Sequence, residues 1–179
     1  MKLFKKLAAA ALAAVLALSM VGCGNANSVN STKQFILNFL ADSTVMSTGE
    51  YHNTSEMDGI AQKLLTEANA AYQDETQTDK TVNALLNVAA DKEGVLKKDT
   101  GYEIPFVEDY QFKSSLIPEV QKQLMLMQMM DTIEVNGGIA LDATKLDVGV
   151  AVGKIGDKTY AVVVMTSAET AAPGTPDGD

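Results

Sequence analysis

The clearest pattern of apolar and polar positions lies near the C-terminal end of the chain, from Leu146 to Met165. Val148, Val150 and Val152 alternate with Gly149, Ala151 and Gly153, and Thr159 to Met165 is almost wholly apolar. Alternation with a period of two, a short turn at Gly156-Asp157 and a second β-branched run predict an antiparallel hairpin. The valines are expected to face a core, and the small residues between them leave room for an element packed closely on the other face. The second strand is apolar on both faces, which places it centrally in a sheet covered by helices.

Helical periodicity dominates the first half. Phe35, Ile36, Phe39 and Leu40 predict a helix over 32–41, started by Ser31 or Thr32. Residues 42–54 are polar and read as a loop. Ser55 to Asp58 has the form of a capping box, and Met57, Ile60, Ala61, Leu64, Leu65, Ala68, Ala71 and Tyr72 then keep one apolar face. A third helix is expected over 80–93, with Val82, Leu85, Leu86 and Ala89 on one face and a stop at Gly94. Residues 95–115 read as irregular, with a short strand at Tyr102 to Val107 bent by Pro105. Pro118 suits the first turn of a fourth helix running to about Asp131. An extended piece over 133–141 is broken at Asn136-Gly137-Gly138. These elements predict an α+β domain over 32–166, an antiparallel sheet with a C-terminal hairpin covered by helices. Residues 167–179 are small, acidic and rich in Pro and Gly, and read as a disordered tail.

The N-terminus has a different character. Lys2, Lys5 and Lys6 precede an uninterrupted apolar run from Leu7 to Leu18. That run is shorter than the roughly 20 residues of a spanning helix and reads as a secretory signal over 1–22. It ends in Ser19-Met20-Val21-Gly22-Cys23, with Cys23 the only cysteine of the chain. The segment resembles the lipobox of bacterial lipoproteins. The resemblance implies cleavage between Gly22 and Cys23, fatty acylation of the Cys23 sulfur through a diacylglyceryl group, and a cell-membrane protein facing outward from the cytoplasm. Two acyl chains anchor stably where one binds marginally. Residues 23–31 then read as a polar tether. A lone exported cysteine has no intramolecular partner, so the domain is expected to fold without a disulfide.

Removing the leader leaves about 157 residues, enough for one domain with a substantial core. Loss of its three lysines takes the net charge from −9 to about −12. Such an acidic surface excludes nucleic acid as a partner. Every basic residue is lysine, so the bidentate fork that arginine offers to phosphate is missing. The single histidine, His52, cannot supply a metal cluster and reads as a solvated loop residue. Glu50, Glu56, Asp58, Glu108 and Asp109 are available as a carboxylate pair for glycoside hydrolysis, although acids on helix faces and loops are usually solvated charge. Leu124 to Met130 places apolar residues all round the fourth helix. That reads either as a buried helix with methionines filling gaps or as an adaptable surface for a protein or small apolar ligand. No cofactor is expected.

Phe35-Ile36-Leu37-Asn38 followed by the Ile60-Ala61-Gln62 helix resembles the opening of the CAP superfamily, the cysteine-rich secretory proteins, venom allergens and plant pathogenesis-related proteins. Ala140-Leu141-Asp142, Lys145 to Ala151 and the strand holding Tyr160 are similar to its closing segments. The resemblance implies an α-β-α sandwich with a cleft of two histidines and two acids. Here His52 matches neither histidine position, Asn136 stands nearest one of them, and Glu103 corresponds to one cleft acid without the surrounding motif. The resemblance therefore implies a CAP-like fold whose metal cleft is lost. With no catalytic constellation in the sequence, the domain reads as a non-catalytic binding or envelope-associated module. The rival reading is a hydrolase or ligand-binding protein with an acidic cleft around Glu103.

Overall fold

The computed structural model describes residues 26–41, 50–109, 131–139 and 145–167. In chain order these form α1 (Ala26–Ala41), β1 (Glu50–Asn53), α2 (Ser55–Gln73), α3 (Val82–Ala90), β2 (Tyr102–Glu108), β3 (Asp131–Val135), β4 (Lys145–Ile155) and β5 (Lys158–Ser167). The strands make one five-stranded sheet in the order β1-β4-β5-β2-β3. The fold is α+β, and the expected hairpin is its centre. β4 and β5 pair antiparallel from Leu146 opposite Ser167 to Ile155 opposite Lys158, around Gly156-Asp157. β5 lies in the middle of the sheet, as its two apolar faces require, and Ala161 to Thr166 are buried without a break.

The alternation in β4 sorts two cores. Val148, Val150 and Val152, with Ala161, Val163 and Met165 of β5, face α1 and enclose Ile36, Phe39 and Leu40. On the opposite face Ala151, Ile155, Val162 and Val164, with Ile104 and Phe106 of β2, meet the apolar stripes of α2 and α3. Helices therefore cover both faces of the hairpin. The small residues of β4 admit α2: a Cβ on Gly149 would overlap the main chain of Met57, and one on Gly153 would lie 3.3 Å from Leu65 Cδ1.

Several boundaries differ from the sequence reading, each for a local reason. α1 starts at Ala26, so the segment read as a tether is helical in its second part. Residues 50–53, read as loop, form β1, which pairs parallel with β4 from Glu50 opposite Lys145 to Asn53 opposite Val148, so the sheet is mixed. The cap of α2 is Thr54, whose hydroxyl accepts from Met57 N at 3.2 Å, and not Ser55. α3 is shorter than expected because Thr81 caps it and it ends at Ala90, four residues before Gly94. β2 runs through Pro105, and its pairing with β5 skips Ile104 and Pro105, because proline offers no N–H to the ladder. Asp131, read as the end of a helix, begins β3. Ser167, assigned to the tail, closes β5. The signal, Cys23, the helix over 118–130 with its methionines, and residues 168–179 lie outside the described residues.

Candidate functional site

Where β1 ends, side chains continue its work. Asn53 Nδ2 donates to Val148 O at 3.0 Å, and Thr54 N donates to the same carbonyl at 3.2 Å. Two residues further along β4, Val150 N donates to Asp58 Oδ1 at 2.9 Å, so a carboxylate on α2 takes the place of the missing strand. Asn53 also donates to Asp58 Oδ1, and Lys33 of α1 reaches round the sheet edge to Asp58 Oδ2. Partial burial pushes the Asp58 carboxyl up, but the Lys33 ammonium, Val150 N–H and Asn53 amide outweigh it and hold the group below its ordinary value. This knot joins α1, β1, α2 and β4, and its groups are consumed in holding them.

A cleft of about 580 Å³ lies at the end of the sheet where β4 turns into β5. The start of α3, the ends of β2 and β4, and the first residues of β3 and β5 form it. Its apolar walls are Tyr72, Val82, Phe106, Ile155 and Tyr160, and its rim carries Lys80, Glu108, Asp131, Asp157 and Lys158. Tyr72 is fixed by close approach: its ring lies where a side chain on Gly156 would project, and Gly156 N donates to Asn69 Oδ1 at 2.9 Å. Lys80 closes the C-terminal end of α2, donating to Tyr72 O at 2.7 Å and Ala71 O at 3.3 Å, with its ammonium 5.7 Å from the Tyr72 ring centroid. Lys158 pairs with Glu108 at 2.9 Å, and that hydrogen bond raises the lysine above its ordinary value. Burial, then the Glu108 carboxylate, pushes the Tyr160 phenol up, so it remains a proton donor at neutral pH. The cleft thus combines an aromatic interior with a rim bearing both signs of charge, an arrangement suited to holding a small ligand by its apolar body and orienting its polar end.

The carboxylates singled out in the sequence do not converge. Glu108 reaches the cleft, whereas Glu56 pairs with Lys97 at 2.9 Å on the surface, Asp58 is in the knot, and Asp109 is buried with Thr32 donating to it at 2.8 Å. Glu103 lies on β2 between Glu134 and Met165, and its charge, after burial, raises the Tyr51 phenol. Asn136, at φ +53°, donates to Thr100 O at 2.9 Å in the turn after β3. Both belong to the opposite end of the sheet and neither lines the cleft. His52 stands exposed on β1 opposite Asp147, in a strand and not in a loop. Among the described residues no three His, Cys, Asp or Glu side chains come together as a metal site. The cleft went unnoticed in the sequence because its walls come from five separated segments, and Tyr72 and Tyr160 look like ordinary core residues of a helix and a strand.

None of the described helices is long and apolar enough to cross a membrane. No protein-family model matches the chain, and no curated protein or solved structure is significantly similar to it.

Proposed function

We propose that the chain is a lipid-anchored bacterial protein of the cell membrane, facing outward, whose α+β domain is a non-catalytic binding or envelope-associated module with a degenerate CAP-like layering. One observation carries the reading: a basic start, an apolar run too short to span a bilayer, and Gly22-Cys23 where that run ends. Acylation accounts for the single cysteine, and a domain with one core on each face of its sheet has no need of a disulfide. The aromatic cleft supports binding of a small ligand with an apolar body.

The test is membrane fractionation with mass analysis of the mature N-terminus, for the parent chain and for Cys23→Ser. The parent is expected in the membrane fraction with a diacylglyceryl-modified Cys23. Cys23→Ser, or inhibition of the lipoprotein signal peptidase by globomycin, is expected to leave the chain unprocessed. A mature parent protein in the medium with a free thiol would overturn the reading. A second reading, a hydrolase, draws on Asp131, Asp157 and the protonated Tyr160 around one cleft. Turnover of chromogenic ester or glycoside substrates that is lost in Asp131→Asn or Tyr160→Phe would favour it.

A further inference from the structure

The direction of α1 decides which end of the domain lies nearest the anchor. Thr32 is held at Asp109, just beyond the end of β2, and Ile36, Phe39 and Leu40 lie on the sheet. α1 also touches β1, which pairs only with the first residues of β4, Lys145 to Val148. The helix therefore runs antiparallel to β4. Lys33, next to Thr32, still reaches Asp58 beside Val150, so the residues before Thr32, about 9 Å of helix, lead from mid-sheet toward the Gly156-Asp157 turn. Only Gly24 and Asn25 separate Ala26 from Cys23, a reach of about 10 Å.

We infer that the anchor presents the turn end of the domain, with the mouth of the cleft, to the headgroup layer of the membrane, and turns the Asn136 end outward. The inference rests on acylation of Cys23 and deepens the binding reading, since the cleft then takes its ligand from the membrane surface. Charge does not draw this end down. Asp74, Glu75, Asp79, Asp131 and Asp157 lie here and outnumber the exposed Lys154, while Lys80 is held by main-chain carbonyls and Lys158 by Glu108. A short connection, and not attraction, sets the orientation, and an anionic leaflet opposes it.

Asp157 and Lys98 are exposed at opposite ends of the sheet, and acylation of Cys23 leaves an introduced cysteine as the only free thiol. Asp157→Cys and Lys98→Cys are made in the full lipidated chain and labelled with a fluorophore. Each is placed in phosphatidylcholine vesicles carrying a headgroup quencher, after matching thermal melts show that the variants fold as the parent does. Lys98 follows Lys97, which pairs with Glu56 at the start of α2, where Met57 lies against Gly149, so about 25 Å of strand separates it from the turn and quenching at position 157 is expected to be roughly threefold or more that at 98. Inserting about ten Gly/Ser residues between Gly24 and Asn25 should bring the two values together. Equal quenching without the insertion, stronger quenching at 98, or a contrast that survives the insertion overturns the orientation while the anchor stands. A chain that stays off the vesicles with a reactive Cys23 overturns the anchor and the orientation with it.

Discussion

At Gly149 the main chain of α2 comes so close that a side chain collides with Met57, whereas Gly59, on the same helix, faces open space. Gly149→Ala forces α2 away from β4 and is expected to cost about 2 to 3 kcal/mol, in the range of overpacked cores. Gly59→Ala removes a flexible residue from a helix interior and should add about 0.5 to 1 kcal/mol. Urea midpoints at neutral pH read both, and equal shifts would contradict the close approach. Asp58 makes a different demand. Its folded-state value is lowered, so its contacts stabilise the fold above the ordinary carboxylate value near 4 and are lost as pH falls through the depressed value. Asp58→Ala also strands Val150 N–H at the sheet edge, which costs about 1 to 3 kcal/mol at pH 7. The gap between parent and variant in urea unfolding should narrow below pH 4, and Asp58→Asn, which keeps an acceptor, should lose less.

α1 is the element on which one whole core depends, because Ile36, Phe39 and Leu40 are its contribution to the valine face. Phe39→Ala should cost about 3 to 5 kcal/mol, while Asn38→Ala, one position away and exposed, should stay within about 0.5 kcal/mol. Thermal unfolding of the two variants distinguishes a packed helix from a loosely attached one. The sorting of β4 into valine and glycine faces was legible because a period of two and a difference in side-chain size survive in any context. α2 was legible for the same reason, with seven buried apolar positions on one stripe. β1 was not: Glu50-Tyr51-His52-Asn53 has no apolar pattern, and it is a strand because β4 offers it a parallel edge. Pro105 argued for a bend, yet β2 stays straight enough to pair with β3 through Thr132 opposite Pro105. The cleft belongs to this second class, since only the tertiary fold brings Tyr72 and Tyr160 to one cleft.

Across the whole molecule two electrostatic effects oppose each other. Asp58 is held low by Lys33 and its amides against its own burial, Asp74 by the Thr76 hydroxyl and amide, and Asp79 by the Thr81 amide. These local contacts favour the fold at neutral pH. Against them stands the self-repulsion of a chain at −9, which favours the unfolded state and fades as the carboxylates protonate. Salt separates the two. Repulsion between exposed charges acts over a screening length of about 10 Å at 0.1 M and about 3 Å at 1 M, whereas a hydrogen bond at 2.9 Å from Val150 N to Asp58 is barely screened. Raising sodium chloride from about 0.02 to 1 M at pH 7 should therefore raise the melting temperature by several degrees. Near pH 4, below the sequence pI of about 4.6, the chain carries little net charge and the same addition should change it little. A melting temperature that falls with salt at pH 7 would mean that surface pairs such as Lys97–Glu56 outweigh the repulsion. Their exposure, 68% and 66% of the side chains, argues against that, because ion pairs so open to water contribute little.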